Sequence, residues 1–237
     1  MQSVLRLIFP SRCLICGEFV EGDAGLCGPC WRDTPFLAGL CCDLCGVPLP
    51  GESDAAETCD ECRKTARPWS QGRAVLLYKD NGRKLVLSLK HGDRLDLVKP
   101  MARWMVRAGW DLLRDDVIVT CVPLHWMRLA KRRYNQSAEL ARHFARLNGA
   151  EYCPDLLLRK GATPSLDGKT KDQRFEVLSG KIQLSPKRAD MIKGRPVLII
   201  DDVMTSGATL AACSEACLGS QASEVCVLTL ARVAKDA

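Results

Sequence analysis

The sequence lacks long hydrophobic runs and is poor in aromatic residues. Phe, Trp and Tyr make up 5% of its 237 residues, and no apolar stretch approaches the roughly 20 residues that a helix needs to cross a bilayer. The opening MQSVLRLIFP is interrupted by Arg6 and has no small-residue cleavage site, so it indicates a short docking helix and not a signal peptide. We therefore expect a cytoplasmic protein with no membrane insertion.

Cysteine, by contrast, is abundant. A chain with 14 cysteines and no export signal belongs where thiols stay reduced, which favours metal binding over disulfides. Two CxxC turns close one tetrahedral Cys₄ zinc site that has no open position for a substrate. Four such turns predict two structural zinc ions, held by Cys13, Cys16, Cys27, Cys30, Cys42, Cys45, Cys59 and Cys62.

The spacing leaves the pairing of the four turns open. Pairing in chain order is the simplest arrangement, and a cross-braced arrangement is the alternative. Cys41 adjoins Cys42 and is an alternative ligand, although Cys42 keeps the CxxC-Gly form. A redox role lacks the βαβ context of thioredoxin-like motifs. The other cysteines lie among aliphatic residues, as small buried hydrophobic side chains do: Cys121, Cys153, Cys213, Cys217 and Cys226.

Charge divides the chain into two parts. The net charge is +6, but acidic residues are concentrated in the first quarter, so the basic excess and any anionic partner belong to the second part. We predict a double zinc-ribbon module with a short N-terminal helix over residues 1–68 and an α/β domain over 69–237. Residues 63–70, which include Pro68, are interpreted as a linker.

The stretch VLIIDDVMTSGATL, residues 197–210, carries the strongest signal for a binding site. Its aliphatic start is typical of a central parallel strand, and ligands bind at the carboxyl ends of such strands. Asp201 and Asp202 are placed to accept hydrogen bonds from ribose hydroxyls or to bind hydrated Mg²⁺. A tight turn at Gly207 and the helix that follows offer N–H groups and a dipole to a phosphate. An ordinary strand, turn and helix cap is the alternative interpretation.

The rest of the second part alternates between strand and helix patterns, which predicts a mainly parallel sheet. Strands are predicted at 72–79, 116–122, 156–158 and 224–230, and helices at 83–92 and 97–113. A further helix ends near Gly149. Met101, Trp104, Met105 and Ala108 share one face of the second helix and are assigned to the core. The polar segment 159–180 is long for a connection, as lids are, with an ordinary mobile loop as the alternative.

Two motifs resemble known families. Residues 201–209 resemble the 5-phosphoribosyl-1-pyrophosphate (PRPP) signature of type I phosphoribosyltransferases. Together with the cysteine turns, LKHGDR at 89–94 and VPLHWMRLAKRRYNQSAELA at 122–141, they resemble the ComF family over nearly the whole chain. That family joins a double zinc ribbon to a type I phosphoribosyltransferase-like domain and is associated with uptake or use of DNA, including single-stranded DNA.

The resemblance implies a set of ligand contacts. PRPP and Mg²⁺ would be bound by Asp201, Asp202, Thr205, Ser206, Gly207, Ala208 and Thr209. Asn135 and Gln136 also fall on positions that the family's motifs use. Pyrophosphate, phosphate or nucleic acid would meet basic residues on the loops around the site, for which a solvated surface is the alternative: Lys90, Arg128, Arg132, Arg133, Lys169, Lys171 and Arg174.

The chain departs from the ComF pattern at three places. Arg133-Tyr134 stands where the family usually has Gly-Phe, and Ser165 and Glu176 stand near positions usually held by glutamine and asparagine. The last two changes affect the predicted lid more than the predicted phosphate loop.

Three functions follow from these patterns. The first is a ComF-like protein of DNA uptake or natural transformation that binds PRPP, contacts DNA-uptake proteins and holds single-stranded DNA, on whose bases Trp126 or Tyr134 would stack. The second is an active phosphoribosyltransferase with an unknown nitrogenous acceptor, and for it we name no catalytic residue. The third is a PRPP-responsive regulatory module. The first is our prediction.

Overall fold

The computed structural model describes residues 10–20, 25–91, 94–124, 134–161, 170, 173, 177 and 180–234. Within these residues, five strands form a parallel sheet in the order β1-β7-β6-β2-β3, and β4 pairs with β5 in a separate antiparallel sheet. The strands are β1 (Gln71–Leu77), β2 (Ile118–Cys121), β3 (Glu151–Tyr152), β4 (Leu157–Arg159), β5 (Ile182–Leu184), β6 (Pro196–Met204) and β7 (Glu224–Arg232).

Helices cover both faces of the parallel sheet. The α-helices are α1 (Gly28–Arg32), α2 (Asp60–Lys64), α3 (Asp80–His91), α4 (Val98–Ala108), α5 (Gln136–Asn148) and α6 (Ala208–Leu218). Short 3₁₀ helices span Leu95–Leu97, Trp110–Leu112 and Pro186–Ile192. A search of the described residues finds no helix with the length and apolar character needed to cross a membrane.

The predicted central strand is β6. It lies between β7 and β2, and its first aliphatic residues are buried because both faces of the sheet are covered. Successive side chains alternate between two apolar layers, with Leu198 and Ile200 in one and Val197 and Ile199 in the other. Helices α3, α4 and α5 contribute to the first layer and α6 to the second. This architecture places the end of β6 at the middle of the sheet edge.

The zinc-ribbon segment is packed against the sheet. Residues 35–37 run antiparallel to β1, with a bridge between Phe36 and Leu76 and a 2.8 Å bond from the Leu37 N–H to the Val75 carbonyl. Cys13 joins the first apolar layer and Cys45 joins the second. The two ribbons therefore contact opposite faces of one sheet.

The segment 63–70 is not an exposed linker, which corrects the interpretation from sequence. Its first residues complete α2, and Trp69 is 2% exposed. The Trp69 indole N–H donates to the Leu44 carbonyl at 2.5 Å. A proline and several charged residues suggested a solvated connection, but the tryptophan anchors the segment between ribbon and sheet.

Two other predicted elements differ from the structure. The helix predicted over 97–113 ends at Ala108, with Gly109 as its C-cap. The chain passes close to the sheet there, since a Cβ atom at Gly109 would lie 2.8 Å from Leu228. The strand predicted at 156–158 is β4, which pairs with β5 and not with the parallel sheet. The segment between β4 and β5 therefore starts and ends on an antiparallel pair. The predicted core face of α4 is confirmed at Met101, Trp104 and Met105, which are all buried.

Candidate functional site

The eight CxxC cysteines form two separate groups in chain order. In each group the ligand atoms all lie within 4.8 Å of one another. The Sγ atoms of Cys16 and Cys27 are 3.6 Å apart, and those of Cys45 and Cys59 are 3.7 Å apart. Tetrahedral zinc with Zn–S bonds of 2.3 Å requires a spacing of about 3.8 Å. The thiol sets therefore fit zinc, with Cys42 and not Cys41 as the ligand.

We call these groups the first Cys₄ site (Cys13, Cys16, Cys27 and Cys30) and the second Cys₄ site (Cys42, Cys45, Cys59 and Cys62). Four protein ligands close such a site, so its role is structural. The backbone N–H of Cys59 donates to the Cys42 sulfur at 3.3 Å, a contact that stabilises a thiolate ligand. The five other predicted buried cysteines are confirmed as buried: Cys121, Cys153, Cys213, Cys217 and Cys226.

The loop of residues 205–209 connects the end of β6 to the start of α6. Gly207 has a φ of 81°, a left-handed conformation that a residue with a Cβ adopts only with strain. Ser206 Oγ accepts a hydrogen bond of 3.4 Å from the Ala208 N–H. The first N–H groups of a helix have no intrahelical partner, so those of α6 that follow Ala208 can be offered to an anion.

A small cavity lies between this loop and Asp201. Its volume is about 20 Å³, and residues 203–210 complete its lining. A space of this size holds one water, which is the scale of a single phosphate oxygen. The 205–209 loop thus forms a concave group of donors next to a carboxylate.

Asp201 and Asp202 are held by different neighbours. One carboxylate oxygen of Asp201 accepts hydrogen bonds of 2.8 Å from the Ser137 hydroxyl and 2.8 Å from the Asp202 N–H. Asp202 forms an ion pair of 3.2 Å with Lys90 Nζ. Burial, and next the charge of Asp202, raise the pKa of Asp201 to about 7 although the Ser137 bond opposes the change. The acid pair therefore carries less than two negative charges near neutral pH.

Described residues of the segments 89–94 and 122–141 lie next to this acid pair. Asn135 caps α5 by accepting from the Ser137 N–H at 3.1 Å, and its amide donates to the Val122 carbonyl at 3.0 Å. The Gln136 amide donates to the Lys90 carbonyl at 3.3 Å. The Tyr134 hydroxyl donates to the Leu89 carbonyl at 2.6 Å. These bonds fix α3 and the start of α5 around the end of β6.

The structure brings together Lys90, Asp201, Asp202 and the 205–209 loop. The remaining predicted contacts lie outside the described residues: Arg128, Arg132, Arg133, Lys169, Lys171 and Arg174. Trp126, predicted to stack on bases, lies outside them as well.

Sequence reasoning missed three residues next to the site. Ser137 binds Asp201, while Arg67 donates to the Ser206 carbonyl at 2.8 Å and Arg232 donates to the Thr205 carbonyl at 2.6 Å. A signal existed for Arg232, because a charged residue at the end of an aliphatic strand needs a partner when it is buried. No local pattern indicates the contact made by Arg67, which is separated from Ser206 by more than half of the chain.

Comparison with known proteins supports the predicted double zinc ribbon and the predicted resemblance to ComF-type proteins. Residues 4–71 match the family model of the double zinc ribbon domain. The DNA utilization protein YhgH of Escherichia coli (strain K12) is 27% identical over 233 residues, which cover 95% of this chain and 99% of that protein. Competence protein F of Haemophilus influenzae is 25% identical over 208 residues, covering 85% of this chain and 88% of that protein. The predicted resemblance to ComF-type proteins is confirmed.

Solved structures show weaker likenesses. The allosteric regulatory enzyme of purine biosynthesis matches with a TM-score of 0.40 and 15% identity over 61% of this chain and 30% of that chain. Adenine phosphoribosyltransferase matches with a TM-score of 0.33 and 14% identity over 59% of this chain and 72% of that chain. The predicted fold class is confirmed as an α/β chain with a parallel sheet behind a double zinc ribbon with two Cys₄ sites.

Proposed function

We propose that this chain, whose relatives are named for DNA utilization and competence, acts in the uptake or use of DNA and binds PRPP or a related phosphoribosyl ligand. The choice of ligand rests on one observation. An acid pair near the end of the central strand β6 precedes a glycine turn and the start of a helix. Charged sugar phosphates require such a combination of donors and acidic groups within one small region.

Each part of the site has a distinct task in this proposal. The 205–209 loop and the first turn of α6 hold the 5-phosphate. Asp201 and Asp202 accept hydrogen bonds from the ribose hydroxyls, and Mg²⁺ balances the diphosphate charge beside them. Lys90, 3.2 Å from Asp202, holds that carboxylate in place. The basic residues of segments 125–133 and 162–179 are proposed to contact the pyrophosphate.

The proposal has two forms: ligand binding alone, and transfer of the phosphoribosyl group to a nitrogenous acceptor. An active enzyme would release pyrophosphate when PRPP and a base are supplied together, and that assay separates the two forms.

The first prediction concerns PRPP itself. Adding PRPP with Mg²⁺ should raise the melting temperature of the purified protein, because a ligand that binds only the folded state stabilises it. Replacing both acids (Asp201→Asn with Asp202→Asn) should abolish the rise. Differential scanning fluorimetry over a range of PRPP concentrations measures both effects.

A matched control replaces two exposed acids that do not line the loop cavity, Asp96→Asn with Asp190→Asn. Their partners are the surface residues Arg94 and Lys193, so this variant should keep the full PRPP response. An unmodified protein that shows no shift at millimolar PRPP would contradict the proposed ligand.

Single-stranded DNA is a second candidate ligand. The observation that favours it is a different cavity. This cavity of about 480 Å³ lies against α4, and its lining includes the exposed Trp31 and two arginines, Arg103 and Arg107, next to the buried core residue Trp104. Trp31 is 40% exposed. Stacking side chains next to cations are the groups that bind single strands without strong sequence preference.

The second prediction tests this cavity. A fluorescent oligothymidine should bind with an affinity that falls steeply with salt, and Trp31→Ala with Arg107→Ala should weaken binding about tenfold. The control is Trp110→Ala with Arg114→Ala, which removes an exposed tryptophan and a half-buried arginine that is paired with Glu224. Equal binding by both double variants would show that this cavity is not the DNA site.

A further inference from the structure

Two buried arginines connect the second Cys₄ site to the 205–209 loop. The Arg67 side chain is 0% exposed and the Arg232 side chain is 3% exposed. Arginine is almost never buried to this extent without partners of opposite charge. The neighbours of these two side chains therefore show what they do.

Arg67 touches the loop with one end of its guanidinium and a metal ligand with the other. Nη1 donates to the Ser206 carbonyl at 2.8 Å, and Nε donates to the Cys62 sulfur at 3.4 Å. The guanidinium also lies 5.4 Å from the centre of the Trp69 ring. A Cβ atom at Gly207 would come within 2.9 Å of Nη1 and 3.1 Å of the Trp69 ring. The loop thus rests directly on this arginine and tryptophan.

Arg232 repeats the connection from β7. Its Nη1 donates to the Thr205 carbonyl at 2.6 Å and contacts the Met204 carbonyl at 3.3 Å. Its Nη2 lies 3.9 Å from the Cys45 sulfur. Each arginine therefore joins one cysteine of the second Cys₄ site to the backbone of the loop.

The carbonyl contacts determine where the loop presents its N–H groups. In a trans peptide the carbonyl oxygen and the N–H of the next residue point in opposite directions. When the Thr205 and Ser206 carbonyls face the arginines, the N–H groups of Ser206 and Gly207 face away from them. The arginines thus orient the donors that a phosphate needs.

The charges explain why the metal matters for this arrangement. Glu61 lies 3.8 Å from Arg67 and 3.6 Å from Arg232, so one carboxylate is shared by two cations. In the described part of the chain, Arg67 Nη2 and Arg232 Nε are buried without a hydrogen-bond partner. A zinc ion with four thiolates has a net charge of about −2, which complements the two guanidiniums. The ion also holds the Cys45 and Cys62 sulfurs in place.

We propose that Arg67 and Arg232 are positioning residues through which metal occupancy of the second Cys₄ site controls the shape, and hence the phosphate affinity, of the 205–209 loop. The inference rests on the proposed PRPP site and adds a regulation to it. The first Cys₄ site makes no corresponding contact with the loop among the described residues, so the coupling is specific to one of the two ions.

The first experiment removes one ion at a time from the full chain. Cys59→Ser disables the second site and Cys27→Ser disables the first, and both cysteines are partly exposed. Each variant should retain about one zinc ion by metal analysis, which shows that its other site still forms. Titration calorimetry should show PRPP·Mg²⁺ affinity reduced at least tenfold in Cys59→Ser and unchanged in Cys27→Ser. Equal affinities, or equal losses, in the two variants would overturn the inference.

The second experiment keeps both ions and removes the connection. Binding linkage is reciprocal. If zinc at the second Cys₄ site raises the affinity for PRPP·Mg²⁺ by some factor, PRPP·Mg²⁺ should raise the affinity for that zinc ion by the same factor. Competition with a zinc-selective chelator measures this change. Arg67→Met should reduce this effect, because only the Arg232 connection is left, while the protein still binds two zinc ions. Arg114→Met is the control, because its hydrogen bonds to Gln71 and Glu224 lie away from the loop.

A merely structural role for Arg67 would lower the melting temperature of Arg67→Met but leave the PRPP-linked change in zinc affinity intact, and that outcome overturns the inference. The proposed function fails separately, because it fails only when the unmodified protein does not bind PRPP.

Discussion

Asp201 belongs to the buried strand β6 and precedes the loop that is proposed to bind phosphate. Burial and the neighbouring Asp202 raise the pKa of Asp201 to about 7, whereas an unfolded chain has an aspartate pKa of about 3.9. The folded protein therefore keeps a proton that the unfolded chain releases, and its stability falls as the pH rises from about 4 to 7. In the proposed site, the ionised form of Asp201 is the one that would bind Mg²⁺ and accept hydrogen bonds from ribose hydroxyls.

A pH dependence of ligand affinity follows at this scale. PRPP·Mg²⁺ should bind more tightly as the pH rises from 6 to 8. If one proton is released on binding, the affinity changes by up to about tenfold for each pH unit. The phosphates of the ligand also titrate, so Asp201→Asn provides the baseline, and the unmodified protein should show the steeper rise in calorimetric titrations at several pH values. Parallel pH profiles would mean that Asp201 does not ionise on binding.

At the scale of elements, the features that depend on local sequence patterns could be predicted from the sequence. β6 follows from an uninterrupted aliphatic run, the core face of α4 from helical spacing, and the two metal sites from CxxC turns. The acid pair and the 205–209 loop were predicted because their donors and acceptors are consecutive in the chain. These features need no knowledge of distant residues.

Elements whose limits depend on distant contacts were not predicted. Helix α4 stops where Gly109 meets Leu228 on β7, and β4 finds its partner β5 across the long segment between them. Segment 63–70 has the composition of a linker, yet Trp69 binds Leu44 and Arg67 binds Ser206. Each of these outcomes comes from pairing with a residue far along the chain, which periodicity does not reveal.

At the scale of the whole molecule, the two parts divided by composition share one packed core. Cys13 packs in one apolar layer of the sheet and Cys42 in the other, so the ribbon segment encloses the β1 side of the sheet from both faces. A structural zinc site contributes folding free energy to whatever it is packed against. Metal loss should therefore affect the parallel sheet and not only the ribbons.

The corresponding prediction is that the purified protein contains about two zinc ions per chain and that their removal lowers the melting temperature of the entire chain in one transition. Metal analysis and circular dichroism of the sheet and helix signal, with and without a strong chelator, measure both. Restoring zinc should restore the transition. A ribbon that melts alone while the sheet signal is unchanged would contradict a shared core.

The pairing of residues 35–37 with β1 also bears on how the chain folds during synthesis. β1 ends at Leu77, but its neighbour in the sheet, β7, starts at Glu224, so at about 5–20 residues per second β1 is made roughly 7 to 30 seconds before β7. Residues 35–37 and both Cys₄ sites have been made by then. The ribbon segment can thus act as a template that holds β1 in an extended form on the nascent chain until the last strand arrives.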